Sequence, residues 1–323
     1  MEADALLVVG HPSERLLAKI ETSIEQIEVV VGDAPEAFEQ VARRATAILA
    51  WSASADLLRQ VLRMSPRVRW VHSIWAGVDQ LPLDDLRESG VALTNARGVF
   101  SAALGEWVVG AILYFAKDLR KLVRDQMAGR WVPYHVEAVA GRTVGIVGYG
   151  DIGRAVAVRV RALGMRVLGL TRHGVVGGQA DDMAERIFGT DERLQMLGQC
   201  DYVVIAAPLT RETRGLMGSA EIAALRPEAV LINIGRGPIV SEEALVDALR
   251  EGRIKGAALD VFDREPLPEG HPYYGLENVL LSPHSADRTA GWLDGAVQLF
   301  LDNLERHRKG EALANVVDME RGY

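Results

Sequence analysis

The sequence predicts an α/β protein of two domains, each a parallel sheet wound with helices on both faces. A length of 323 residues is too great for one ordinary core. Short apolar runs alternate with helical stretches from one end to the other, as strand-helix-strand units require. One β-branched run also leads straight into a glycine cluster that opens a helix.

In the first hundred residues the strands are ALLVVG, IEVVVG, TAILAW, RVRWVHS and VALTN, enough for one small sheet. A long helix is predicted from Ser101 to about Met127, with Leu104, Val108, Ile112, Phe115 and Leu119 on one face. Gly105, Gly110 and Ala111 would let another helix approach it closely. A second series follows: TVGIVG, MRVLGL, YVVIAA, AVLINI, IKGAALD and NVLLSP, with helices between, such as Ser241 to Arg250. Six such runs suit a doubly wound, Rossmann-like sheet. No repeat of solenoid length and no low-complexity segment interrupts the pattern.

Composition narrows the function classes. The 44 acidic residues outnumber the 36 Lys and Arg, for a net charge of −8, and no basic stripe gathers; nucleic acid is not expected as a partner. No apolar run reaches the ~18 residues of a membrane span, and the opening MEADALLVVG is acidic, so a soluble cytoplasmic protein is expected. Cys200 is the sole cysteine and reads as a core residue beginning a strand, so neither an intrachain disulfide nor a metal site is expected.

The glycine cluster is GYGDIG, Gly148 to Gly153. Gly148 would make the tight turn, Gly150 would let the backbone approach a pyrophosphate, and Gly153 would let helix and strand pack. The helix from Asp151 carries Ile152, Val156, Val160 and Leu163 on one stripe, and its N-terminus would favour the phosphates. About twenty residues later an acidic residue usually meets the ribose. Here the sequence reads Thr171, Arg172, His173, beside the turn GVVGG, and Asp181 and Asp182 come too late. A guanidinium flanked by a hydroxyl and a histidine suits a phosphate dianion, so NADP(H) is expected in preference to NAD(H), with NAD(H) also usable.

Three charged residues follow later strands: Arg236 in LINIGRGPIV, Glu265 in ALDVFDREPLP and His284 in LLSPHSA. Ligands gather there in open α/β sheets. A guanidinium can grip a carboxylate with two bonds and polarise a neighbouring carbonyl. A histidine can give or take a proton near neutral pH, and a carboxylate beside it would favour its charged form and hold the ring. The set suits reduction of a 2-oxo acid.

From about Asn95 to Asp287 the chain resembles the D-isomer-specific 2-hydroxyacid dehydrogenases, which include glyoxylate/hydroxypyruvate reductases and phosphoglycerate dehydrogenases. GRTVGIVGYGDIG, APLTRETRGLMG, LINIGRGPIVSEEAL, ALDVF and SPHSA follow in the family's order, and the ending NVVDMERGY resembles that of some members. The resemblance implies that Arg236 binds the substrate carboxylate and carbonyl, that His284 donates the proton and that Glu265 supports the histidine. It implies a cofactor cradle of Gly148, Tyr149, Gly150, Asp151, Ile152 and Gly153. The cofactor-lining wall would come from Ala207, Pro208, Thr213, Ile234, Gly235 and Ala286, with Asp260 on the nicotinamide side. The turn WAGVD would present backbone N–H groups of Trp75, Ala76 and Gly77 to the substrate carboxylate.

The family plan further implies a discontinuous, flavodoxin-like substrate domain, residues 1–97 plus 289–323, around a dinucleotide domain, 98–288, with a cleft between them. The long helix would be a dimerisation arm, giving a homodimer in which Trp131 and Tyr134 border the neighbouring cleft. The expected product is a D-2-hydroxy acid, from a small 2-oxo acid such as glyoxylate or hydroxypyruvate. The competing readings are a dinucleotide-sensing, corepressor-like protein and a short phosphoglycerate dehydrogenase.

Overall fold

The apolar runs of the first hundred residues form one parallel sheet: β1 (Asp4–Val9), β2 (Ile27–Gly32), β3 (Ala45–Ala50), β4 (Trp70–Ser73) and β5 (Ala92–Thr94). Their order is β2-β1-β3-β4-β5, the flavodoxin-like arrangement. The computed structural model describes residues 4–24, 27–52, 54–174 and 182–323. It divides into two units, Met1–Phe100 with Ala290–Tyr323, and Ser101–Thr289.

In the first unit, one face of the sheet packs Leu7, Val9, Ile48, Val71 and Leu93 against Phe38, Leu58 and Leu86. Leu58, Val61 and Leu62 lie on one stripe of the helix Ala55–Met64, which starts where the Ser54 hydroxyl accepts the Leu57 N–H at 3.2 Å. The other face takes the C-terminal helix Trp292–Lys309, whose Phe300 stacks on Trp70 with ring centroids 5.5 Å apart. Beneath them His72 is fully buried, its Nδ1 2.7 Å from the Thr94 hydroxyl, and burial pushes its pKa down to about 3.

The second unit holds β6 (Thr143–Val147), β7 (Arg166–Leu170), β8 (Arg186–Phe188), β9 (Tyr202–Ile205), β10 (Val230–Asn233), β11 (Gly256–Leu259) and β12 (Val279–Leu281). The order β12-β11-β10-β9-β6-β7-β8 is the doubly wound dinucleotide-binding order with one strand added at the β12 edge. β6, β9, β10 and β11 are buried along their whole length, which is why they read as unbroken apolar runs. β8 escaped the sequence reading because it is a three-residue edge strand containing Arg186. Cys200 is buried just before β9, and burial pushes its thiol up to about 12.

The single helix expected from Ser101 to Met127 is instead two, Ser101–Ala116 and Leu119–Met127. Asp118 breaks it by adopting a left-handed conformation (φ 45°), and its side chain then accepts the Lys121 N–H, capping the second helix. Gly105 gives the close approach expected of it, since a β-carbon there would stand 2.9 Å from Arg159 and 3.1 Å from the Ala155 carbonyl on the helix Asp151–Ala162. Gly110 does not, because it faces open space. Among the described residues no helix is long and apolar enough to cross a membrane, and no cluster of His, Cys, Asp and Glu could hold a metal ion.

Candidate active site

The glycine cluster assigns a different physical task to each glycine. Gly148 has φ 91°, and a β-carbon there would stand 2.5 Å from the Ala207 backbone. At Gly153 a β-carbon would meet the Gly148 carbonyl at 2.6 Å, so strand and helix touch through bare backbone. Gly150, the N-cap of the helix Asp151–Ala162, has open space where its β-carbon would point. Unfilled ground before the N-terminus of a three-turn helix fits a dinucleotide pyrophosphate. Tyr149 turns away from that ground, its ring lying on β7 where a β-carbon at Gly169 would stand 2.9 Å from it. The Asp151 carboxylate accepts from the Ser101 hydroxyl, and Ile152 is partly buried beside it.

Thr171, Arg172 and His173 leave the end of β7 as expected. The Thr171 hydroxyl donates to the Gly174 carbonyl at 3.0 Å, and His173 forms an isolated bridge to Gly189. Arg172 places Nη2 3.6 Å from Glu212 Oε2. The turn residues 175–178 and Asp181 lie outside the described residues.

Opposite them runs the loop after β9. Ala207 is buried against Gly148 and Gly235. The Thr213 hydroxyl donates to the Pro208 carbonyl at 2.7 Å and accepts the Thr210 N–H at 2.7 Å, which closes the loop on itself. Thr213 therefore fixes Pro208 in place.

Arg236, Glu265 and His284 belong to three loops that are joined by backbone. His284 Nδ1 lies 2.7 Å from Glu265 Oε2, and the other Glu265 oxygen accepts the Phe262 N–H at 3.0 Å. A carboxylate can only accept, so Nδ1 carries the proton and Nε2 is the nitrogen left for a ligand. His284 has φ 48°, an uncommon conformation for a side-chain-bearing residue, held by its N–H bond to the Asp260 carbonyl at 2.9 Å. The loop of Arg236 presses on the same Phe262: a β-carbon at Gly237 would stand 2.0 Å from the Phe262 carbonyl carbon. Asn233 holds that loop from below, accepting the Gly235 N–H at 3.1 Å and donating to the Arg236 carbonyl at 3.1 Å. Ile234 is buried between them.

Asp260 is buried, and its carboxylate accepts from the Ser282 hydroxyl and from the N–H groups of Ser285 (2.9 Å) and Ala286 (3.1 Å). It fixes the segment that carries His284. A hollow of about 620 Å³ opens beside the histidine, lined by Glu265, Pro266, Leu267, Tyr274, Leu281 and Arg288 among others.

In the first unit, the turn Trp75 to Gly77 is fixed from several sides. Trp75 donates through Nε1 to the Trp51 carbonyl at 2.9 Å and lies 5.3 Å from the Trp292 ring. Asn95 donates to the Ala76 carbonyl at 2.7 Å. Of the three N–H groups expected to face an anion, that of Trp75 instead donates to the Ser73 hydroxyl at 3.2 Å, while among the described residues those of Ala76 and Gly77 have no protein acceptor, as a cradle for an anion requires.

Two residues near these sites escaped the sequence reading. Glu212 lies forty residues from Arg172 in the chain and comes beside it only through the sheet order. Asp287 is half-buried near His284; burial pushes its carboxyl above the usual carboxylate range, and the His284 charge opposes that. Its place three residues after the histidine was the available signal.

Residues 109–286 match the model of the NAD-binding domain of D-isomer-specific 2-hydroxyacid dehydrogenases. A glyoxylate reductase of Thermococcus gammatolerans is 34% identical over 270 residues, covering 81% of this chain and 79% of that protein. Glyoxylate/hydroxypyruvate reductase A of Arabidopsis thaliana is 31% identical over 98% of this chain and its own whole length. The crystal structure of a D-isomer-specific 2-hydroxyacid dehydrogenase from Xanthobacter autotrophicus, in complex with NADPH and MES, superposes with a TM-score of 0.85 at 31% identity, covering 99% of this chain and 100% of that one. With a dinucleotide-binding sheet and a histidine-carboxylate pair beyond its strands, the chain belongs to the D-isomer-specific 2-hydroxyacid dehydrogenases, oxidoreductases that use a nicotinamide cofactor.

Proposed function

We propose that the enzyme reduces a small 2-oxo acid such as glyoxylate or hydroxypyruvate to the D-2-hydroxy acid, with NADPH preferred and NADH usable. The observation that carries the reaction is the 2.7 Å contact of His284 with Glu265, on a backbone against which the Arg236 loop is pressed. The bound nicotinamide supplies the hydride. Arg236 takes the carboxylate and draws electron density from the oxo group, and His284 Nε2 gives its proton to the carbonyl oxygen as charge develops there. Glu265 keeps the ring oriented by accepting from its Nδ1 nitrogen.

Glyoxylate and glyoxylate/hydroxypyruvate reductases among the relatives support the substrate class, and the NADPH-bound neighbour supports the cofactor. The cofactor preference rests further on Arg172 where an acidic residue would repel a 2′-phosphate. Initial rates with NADPH and NADH against glyoxylate, hydroxypyruvate, pyruvate and bulkier 2-oxo acids test the reading. Fastest turnover of a small oxo acid with NADPH is expected; no turnover of any of them would reject it.

We also propose a homodimer through the helices after Ser101. Met127 is 84% exposed and Trp131 95%, and Leu122, Val123, Val132 and Val136 are exposed nearby, an apolar surface unusual for a monomer. Tyr134 instead folds back, donating to the Lys117 carbonyl at 3.0 Å. Light scattering that found a fully active monomer would refute the dimer.

A further inference from the structure

β6 has β7 on one side and β9 on the other. Its end carries the glycine loop, while Arg172 follows β7 and Glu212 lies on the loop after β9. Their 3.6 Å ion pair therefore spans the crevice above the glycine loop, where the chain reverses its winding and a dinucleotide lies. An adenosine half seated there has to meet both partners.

Glu212 is held in that position. Its Oε2, the atom facing Arg172, accepts the Thr210 hydroxyl at 2.8 Å, and Thr210 is fixed by Thr213, itself tied to Pro208. The Thr210 hydroxyl, then the backbone at Glu212, with smaller help from Arg172 and Arg211, keeps the Glu212 carboxyl below the usual carboxylate range. The carboxylate is thus charged throughout the neutral range, and its oxygen is aimed across the crevice by protein bonds that do not involve the cofactor.

We propose that Glu212 is an internal competitor for the 2′-phosphate and sets how strongly the enzyme discriminates between NADP(H) and NAD(H). The inference rests on the reading of Arg172 as the ligand of that phosphate. A 2′-phosphate must take the guanidinium from Glu212 and then sit near the remaining carboxylate, two effects that weaken binding of the phosphorylated cofactor. A cofactor with a free 2′-hydroxyl leaves the ion pair intact and meets neither penalty. Arg172 attracts the phosphate and Glu212 moderates the attraction, so one enzyme keeps a preference for NADPH without excluding NADH.

The test uses the intact enzyme with 2′,5′-ADP and 5′-ADP as probes, titrated by calorimetry on the wild type, Glu212→Gln, Arg172→Ala and the double variant. Gln keeps the acceptor for Thr210 and removes only the charge. Glu212→Gln should bind 2′,5′-ADP about three- to fivefold tighter, the size of an exposed ion pair, and 5′-ADP unchanged. In the Arg172→Ala background the same substitution should give a smaller gain, less than about twofold, because no guanidinium is left to release and only the solvent-screened repulsion by the exposed carboxylate remains. Unchanged 2′,5′-ADP affinity in Glu212→Gln, an equal gain for both probes, or a full gain without Arg172 would overturn the proposal. Arg172→Ala alone reports separately on the phosphate site: if it leaves 2′,5′-ADP binding intact, the reading of Arg172 has failed.

Discussion

Gly237 and the carbonyl carbon of Phe262 approach so closely that a β-carbon at 237 would stand 2.0 Å from it, and this contact couples the Arg236 loop to the segment that holds Glu265. Gly237→Ala should force the two loops apart. Overpacking of this kind costs roughly 1–3 kcal/mol, so the melting temperature should fall, and kcat/KM should fall about tenfold or more as Arg236 loses its register with His284. A variant with wild-type melting and kinetics would show that the loops yield freely there.

His284→Ala removes the group we assign to proton donation. Its kcat should drop on the order of a hundredfold or more while NADPH binding, measured by fluorescence, stays close to wild type. Near-normal turnover would reject the assignment.

Arg236→Lys keeps the charge but not the planar fork. We predict a higher KM for the oxo acid together with a lower kcat, because both carboxylate and carbonyl contacts are disturbed. Unaltered kinetics would reduce Arg236 to a loop cation.

Arg172→Ala should raise KM for NADPH about tenfold and leave KM for NADH unchanged. The figure lies at the low end for a charged hydrogen bond because the side chain is about a third exposed and already shares a carboxylate. Equal effects on the two cofactors, or a wild-type preference for NADH, would remove the 2′-phosphate from the account.

Most strands of both sheets were legible in the sequence because buried parallel strands are largely continuous apolar runs, whereas the short edge strand β8 was not; the glycine cluster was legible because a tight turn, an open helix N-terminus and a close strand-helix contact fall at fixed spacing. The break at Asp118 was not, since Lys117 and Asp118 sit within an otherwise helical pattern and only the left-handed cap reveals the stop. Contacts set by sheet order were hidden for a different reason. Arg172 and Glu212 are neighbours only because β7 and β9 flank β6, and nothing local marks that. The same holds for Gly237, whose need is the distant Phe262 backbone.

His72 predicts a pH effect on stability apart from catalysis. Burial lowers its pKa from 6.5 to about 3 in the folded chain, so below pH 6.5 the unfolded chain binds a proton that the folded one refuses. This contribution is intact above pH 6.5 and erodes by about 1.4 kcal/mol per pH unit as pH falls toward 3. Denaturant melts from pH 7 to 5 should therefore show a shallower decline for His72→Gln than for the wild type; parallel curves would contradict the burial argument.

The helix Trp292–Lys309 supplies Phe300 to the core beneath Trp70, yet it is made almost two hundred residues after the sheet it covers. On a ribosome, β1 to β5 would emerge first and wait with one apolar face bare, while the segment from Ser101 to Thr289 is already complete in sequence and free to fold. The order of completion then inverts the order of synthesis. A nascent chain stalled after Thr289 should resist a protease across its later half and be cut readily in its earlier one, and release of the last residues should close that window of vulnerability.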